Sequence, residues 1–358
     1  MTESSCVLIV GAGGTVADAG RVSEVRRPPL DKGFFRAASR DSANTTDVGS
    51  IQSYLQEKYA IADLKDRKVD SLEDIMVRLY GDIFDPTLGD AAYRAFIGLM
   101  QLFNRRLATT TNDIPMTRRK LLYRVIRRLV RVSGHCGRLT IITFNQDIQI
   151  EKALHTLSSR LPARFGDPFA FPELYELGGV LTSRLANIPS FPIRSDSEGH
   201  VRLLKLHGSL NWYSVHRSNP PERRALFRPE RAITITPRRE IAPDMRRLTR
   251  ARRNFYTFPI VVPPVNLKAA ILHDKLRPLW HSAEEALAAA TEVTVFGYSC
   301  PQIDFESANM IQRAFSRNTS CEKLTIIDPD PSVVLRFADL TRMDSISYVA
   351  SASRYLQN

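Results

Sequence analysis

The sequence predicts an α/β fold: a Rossmann-like parallel sheet with helices on both faces and an inserted helical module. Three observations predict it. Short, nearly continuous apolar runs alternate with helical patterns, as parallel strands buried on both faces require. Five of these runs end in a small or polar residue: Gly11, Asn145, His207, Ser299 and Asp328. Between the first two runs lies a long stretch of helical periodicity with no strand signal. The chain's 358 residues, 43% hydrophobic and 25% charged, suit one globular domain with a sizeable core. The organisation read from this is a single domain over 1–358, with a helical insertion at 47–135 and an Arg-rich surface excursion at 216–256.

The first strand, 6–10, is wholly apolar and runs into Gly11-Ala12-Gly13-Gly14-Thr15. The segment 20–46 carries Arg27-Pro28-Pro29-Leu30-Asp31 and Phe34-Phe35, which predicts an ordered loop over a site. From 51 to 132 the pattern is helical. Asp70-Ser71 can cap a helix whose apolar positions are Leu72, Ile75, Met76 and Leu79, and two further helices cover 93–107 and 118–132. Strand 139–143 leads through Thr143-Phe144-Asn145-Gln146-Asp147 into a helix at 148–157. Strands follow at 178–181, 201–206 and 211–215, and His216 to Pro221 breaks the pattern. A short strand is expected at 232–236 and a proline-bounded one at 258–264. The remaining chain alternates regularly: helix 276–290, strand 292–296, helix 305–315, strand 323–327, helix 333–340, strand 346–349.

Charge and cysteine usage bound the function. The net charge is +12, from 50 Lys and Arg against 38 Asp and Glu, so a polyanionic partner such as nucleic acid is an expectation. The charge gathers in Arg118-Arg119-Lys120, Arg124, Arg127-Arg128 and Arg131, and again between Arg223 and Arg253. The first cluster alternates with Leu122, Val125, Ile126, Leu129 and Val130. That is ordinary amphipathic spacing, and reads as a solvated helix face. No apolar run approaches the ~18 residues that span a bilayer. The N-terminus lacks a basic region before its short apolar run, so the expected location is the cytoplasm. Cys6, Cys136, Cys300 and Cys321 form no C-x-x-C pair, so neither a zinc site nor a disulfide framework is expected.

Each motif has a chemical and a structural reading. Glycines after a first strand let backbone amides approach a pyrophosphate at a helix N-terminus, but tight strand–helix turns also use glycine. Asp328 can accept from a ribose or make an Asp-Pro turn, and Ser299 can touch a ribose or simply close a turn. His207 follows strand 201–206, where an imidazole beside a ribose hydroxyl can serve as a base. Asn145 and Asp147 can hold a sugar or a water near an anomeric carbon, as glycosidic cleavage requires, or can cap the helix that follows.

Taken in order, Gly-Ala-Gly-x-Thr at 11–15, Thr-x-Asn-x-Asp at 143–147, Leu-His-Gly at 206–208 and Gly-Tyr-Ser at 297–299 resemble the sirtuin-like NAD-consuming proteins. The resemblance implies NAD as substrate. Gly11, Ala12, Gly13 and Thr15 would then lie on its phosphates and Asn145 on the nicotinamide ribose or a water. Asp147 would lie on the nicotinamide amide, His207 would be the base, and Ser299 and Asp328 would line the adenosine side. The two C-x-x-C pairs that hold zinc in the family's protein deacylases are missing here, and so is their Pro-Asp-Phe-Arg element. Pro263-Pro264, Lys268, Leu279-Trp280 and Phe296 to Ser299 are similar instead to bacterial sirtuin-like NADases of anti-phage defence. Several of those are encoded with a HerA-type ATPase or a short Argonaute. The function implied is NAD+ hydrolysis to nicotinamide and ADP-ribose, with a HerA-type ATPase as partner and homo-oligomeric assembly. The alternatives are NAD-dependent deacylation, or a non-catalytic nucleotide- or DNA-binding subunit.

Overall fold

Glu292–Phe296 and Lys323–Ile327 are buried on both sides almost throughout, and such strands need helices above and below. The computed structural model of the chain describes residues 4–19, 34–40, 45–61, 63–64, 71–112, 114, 116–158, 201–216, 232–234, 256–262, 276–301 and 304–357. Its strands are β1 (Ser4–Val10), β2 (Gly137–Thr143), β3 (Val201–Lys205), β4 (Gly208–His216), β5 (Ala232–Thr234), β6 (Tyr256–Val261), β7 (Glu292–Phe296), β8 (Lys323–Ile327) and β9 (Ile346–Val349). Six of them form one sheet in the order β3-β2-β1-β7-β8-β9. Every neighbouring pair in it is parallel. The chain winds outward from β1 in one direction and from β7 in the other. The β1/β7 boundary is therefore a topological switch point, with a crevice at the strands' carboxyl ends. A smaller antiparallel sheet has the order β5-β4-β6.

The helices are α1 (Ala12–Ala19), α2 (Phe34–Ser39), α3 (Thr45–Tyr59), α4 (Leu72–Asp82), α5 (Gly89–Asn112), α6 (Leu121–Cys136), α7 (Gln149–Ser158), α8 (Arg277–Ala288), α9 (Phe305–Arg317), α10 (Ser332–Thr341) and α11 (Ala352–Tyr355). Right-handed crossovers put the β1-to-β3 connections on one face and the β7-to-β9 connections on the other. Accordingly α1, α6 and α7 pack together on one side, and α8, α9 and α10 on the other. Ser71 starts α4 with a full capping box against Asp74. The α6 start is capped from outside: both oxygens of Asp18 accept amides, from Leu121 at 2.6 Å and Leu122 at 2.9 Å.

Two apolar cores divide the chain differently from the expected 47–135 insertion. One core lies under the sheet and includes Leu122, Val125, Ile126 and Leu129 of α6. The other joins Phe34 and Phe35 of α2 to Ile51, Ile75, Met76, Leu79, Phe96 and Leu99. The helical module therefore begins at α2 and ends with α5, and α6 is a crossover helix of the sheet. Amphipathic spacing shows that α6 has an apolar face, but not which core that face meets. Its exposed face carries Arg124, Arg127 and Arg131. Arg128 does not belong to that face: its Nη1 donates to the Tyr355 carbonyl at 2.7 Å and its guanidinium lies 4.7 Å from the Tyr355 ring centroid.

The expected strand at 178–181, Pro29, Pro263-Pro264, Lys268 and residues 217–231 and 235–255 of the Arg-rich excursion fall outside the described residues. Among the described residues, no helix is long and apolar enough to cross a membrane.

Candidate functional site

The glycine turn after β1 and the turn after β7 meet backbone to backbone at the switch point. The Gly11 amide donates to the Phe296 carbonyl at 3.1 Å, Gly13 to Gly297 at 2.9 Å and Gly14 to Gly11 at 3.0 Å. A Cβ on Gly11 would stand 2.4 Å from the Gly297 oxygen, and one on Gly297 2.3 Å from the Gly14 nitrogen. Gly297 also has φ +61°, a conformation that favours glycine. These glycines are thus accounted for by the close approach of two turns, and three of the loop's amides go to protein carbonyls rather than to a ligand. Ala12, which opens α1, brings the positive end of that helix to the same place.

The end of β2 is tied to this turn by side chains. Asn145 Nδ2 donates to the Gly11 carbonyl at 2.9 Å and to Thr15 Oγ1 at 3.2 Å. A carbonyl only accepts, so the amide's orientation is fixed and Oδ1 is the atom left to a ligand. The Thr15 hydroxyl donates to Asp147 Oδ2 at 2.8 Å, and Asp147 Oδ1 accepts the Gln149 amide at 2.9 Å. Below them Lys205 and Glu151, both fully buried, pair at 2.8 Å. Lys205 Nζ also donates to the Asp147 carbonyl.

His207 is held from both sides. Its carbonyl accepts the Val262 amide at 2.9 Å, and the Leu206 carbonyl accepts Trp280 Nε1 at 3.0 Å. Gly208 has φ +77°, and a Cβ there would lie 2.0 Å from the Ile260 oxygen, so a glycine must follow the histidine. The imidazole sits edge-on to Phe144, with centroids 5.3 Å apart, and Phe144 stacks on Tyr298 at 4.3 Å. Trp280 lies 5.9 Å away on the same ring. His207 Nε2 is 3.9 Å from Asp304 Oδ1, and Asp304 Oδ2 accepts the Tyr298 hydroxyl at 2.9 Å. Burial, then the charge of Asp304, holds the Tyr298 hydroxyl well above its ordinary pKa, so it remains a neutral donor.

One cleft of about 720 Å³ runs along the strand ends, within the usual size of a small-molecule site. Of the residues singled out in the sequence, Gly11, Ala12, Gly13, Asn145, His207, Ser299 and Asp328 line it. Thr15 and Asp147 do not: they are buried and bonded to each other behind its wall. Asp147 also makes the helix-capping bond that was its structural reading. Asp328 Oδ1 accepts the Asp330 amide at 2.9 Å, the turn bond of its structural reading, and the residue lines the cleft. Burial raises its carboxyl pKa. Leu72 and Glu73 of α4 and Phe103 of α5 also line the cleft.

Sequence reasoning missed Asp304, and it missed the aromatic set around His207. Asp304 precedes α9 and reads as a helix cap, yet its side chain makes no capping bond. Among the described residues the lining includes Glu73, Asp304 and Asp328 but no Lys or Arg, and no group of three or more His, Cys, Asp or Glu stands ready for a metal ion.

No protein-family model matches the chain, and no curated protein does. Among solved structures, a crystal structure of Sir2 with the inhibitor EX-527, 2'-O-acetyl-ADP-ribose and a deacetylated p53 peptide aligns over 99% of this chain and 91% of its own, with a TM-score of 0.40 and 12% identity.

Proposed function

We propose that the chain is an NAD+ glycohydrolase that cleaves the nicotinamide–ribose bond. The observation that carries this reading is the convergence of Asn145 and His207, from the ends of β2 and β3, on one cleft at the switch point. A dinucleotide would lie along the strand ends, with the ribose and nicotinamide toward His207 and the adenosine toward Ser299 and Asp328. Gly11, Ala12 and Gly13 would border its phosphates, with the α1 N-terminus supplying the favourable field. Thr15 and Asp147 would act from behind, by fixing Asn145 and the turn.

The chemistry asks little acid catalysis of the protein. The nicotinamide leaves with the bonding electron pair, which neutralises its ring cation, so it needs no proton. Charge develops instead on the ribose as an oxocarbenium-like centre. Water adds there and gives up a proton, so NAD+ and water yield nicotinamide, ADP-ribose and H+. Asn145 Oδ1, an acceptor, suits a water or a ribose hydroxyl, and His207 would take the proton. Phe144, Trp280 and Tyr298 keep the ring in a desolvated wall.

The wider reading is that of a cytoplasmic, homo-oligomeric defence protein that depletes NAD+ with a HerA-type ATPase, and it rests on the motif resemblance. Incubating the purified chain with NAD+, alone and with such an ATPase, and separating the products tests it. Free nicotinamide with ADP-ribose supports hydrolysis; O-acetyl-ADP-ribose formed only with an acetylated peptide points to deacylation. A second reading, a nucleotide- or DNA-binding subunit without turnover, is motivated by the net charge of +12 and the Arg-rich stretch between Arg223 and Arg253. DNA binding that weakens steeply with salt, beside intact NAD+, would select it.

A further inference from the structure

We propose that Asp304 is the positioning residue of His207, holding a proton on Nε2 so that Nδ1 is the basic nitrogen offered to the ribose and water. The inference rests on the reading of His207 as the base of NAD+ cleavage. Three observations carry it.

First, Asp304 stands at the N-cap of α9, where a carboxylate ordinarily accepts backbone amides. It makes no such bond, at φ −89° and ψ 54°, and its side chain is turned inward, with the residue only 4% exposed. Second, its two oxygens have different neighbours: Oδ2 accepts the Tyr298 hydroxyl at 2.9 Å, and Oδ1 lies 3.9 Å from His207 Nε2. That gap is an ion-pair distance rather than a hydrogen bond, and such contacts tighten when a ligand closes the site. Third, the geometry is fixed from behind. Tyr298 stacks on Phe144 with 19° between the rings, and Phe144 in turn packs edge-on to His207. Among the described residues, Asp304 faces the ring, with Tyr298 beyond it and Cys300 beside Tyr298. The end of β2 and α8 contribute the uncharged Phe144 and Trp280.

A carboxylate beside one imidazole nitrogen selects the tautomer protonated there and stabilises the imidazolium that forms when the other nitrogen takes a proton. The proton comes from the attacking water.

The test is ¹⁵N NMR of the His207 imidazole in the full chain, assigned by its loss in His207→Gln, together with NAD+ kinetics. Expected in the wild type is an Nε2–H tautomer; in Asp304→Asn the two tautomers mix, kcat falls roughly 100-fold and KM changes less than about three-fold. An Nδ1–H tautomer in the wild type overturns the proposal, even where Asp304→Asn does not fold. So does an Asp304→Asn imidazole spectrum identical to the wild type's. Should the wild type show the Nε2–H tautomer but leave NAD+ intact both alone and with a HerA-type ATPase, the pairing stands and the hydrolase reading falls.

Discussion

The Thr15 hydroxyl donates to Asp147 Oδ2 at 2.8 Å across 132 residues of chain, tying the first turn of α1 to the end of β2. Both residues are buried, so a broken tie leaves a desolvated carboxylate oxygen without its donor. Thr15→Val is expected to lower unfolding stability by about 1–3 kcal/mol, whereas Thr15→Ser, which keeps the hydroxyl, stays within ~1 kcal/mol. Urea denaturation of the two variants checks this, and equal losses would contradict it.

Gly297→Ala should be far worse than a glycine change of the same size elsewhere. Its new Cβ meets backbone atoms, Gly14 N at 2.3 Å and Gly13 C at 2.5 Å, which cannot rotate aside, and φ is +61°. The expected loss is roughly 3 kcal/mol or more, or no soluble protein. Gly81 lies in α4, and a Cβ added there would meet nothing within 4 Å. Gly81→Ala is therefore expected to raise stability by about 0.5–1 kcal/mol. Thermal melts of the pair measure both.

Lys205 and Glu151 form an ion pair with no solvent contact. Lys205→Met removes the cation beside the buried Glu151 carboxylate and a donor from the Asp147 carbonyl, so about 3–5 kcal/mol should be lost. The double variant Lys205→Met, Glu151→Leu is expected to recover part of that loss, because no buried charge then lacks its partner. Chemical denaturation of both single variants and the double variant closes the cycle.

The α8–α9 contact should weaken in acid. Glu284 accepts from Arg313 at 2.7 Å and from Arg317 at 3.1 Å. The Arg313 hydrogen bond is the main cause holding its carboxyl pKa below the ordinary value of 4.5. A depressed carboxylate pKa contributes stability above the unfolded value, lost as pH falls through the folded one. Glu284→Gln should therefore cost about 0.5–1 kcal/mol at pH 7 and low salt, and nothing once the wild-type carboxylate is protonated. Stability of both proteins followed from pH 7 downward, until the difference between them closes, provides the comparison.

Legibility in the sequence followed burial. β7 and β8 were readable to the residue because Glu292–Phe296 and Lys323–Ile327 are short apolar runs buried from both sides. The start of α4 was readable because Ser71 and Asp74 form their capping box locally. What could not be read depends on partners distant in sequence. Gly11 and Gly13 look like a phosphate cradle, and nothing local shows that the space they clear is also where Gly297 and Tyr298 pack, which adjoin them only once β7 pairs with β1. Asp147 looks like a ligand group, and its capping bond to Gln149 was the competing local reading. Asp304 was hidden for the opposite reason: it has the sequence place of a cap and points into the cleft instead.

Whether Asn145 and His207 border the cleft where the nicotinamide–ribose bond breaks is decided by NAD+ consumption. The purified chain, alone and with a candidate HerA-type ATPase, would be compared with folded Asn145→Ala and His207→Ala. Expected are equimolar nicotinamide and ADP-ribose from the wild type, and a loss of at least about 100-fold in each variant. Unchanged turnover in both variants would contradict this assignment and move the chemistry to another part of the chain.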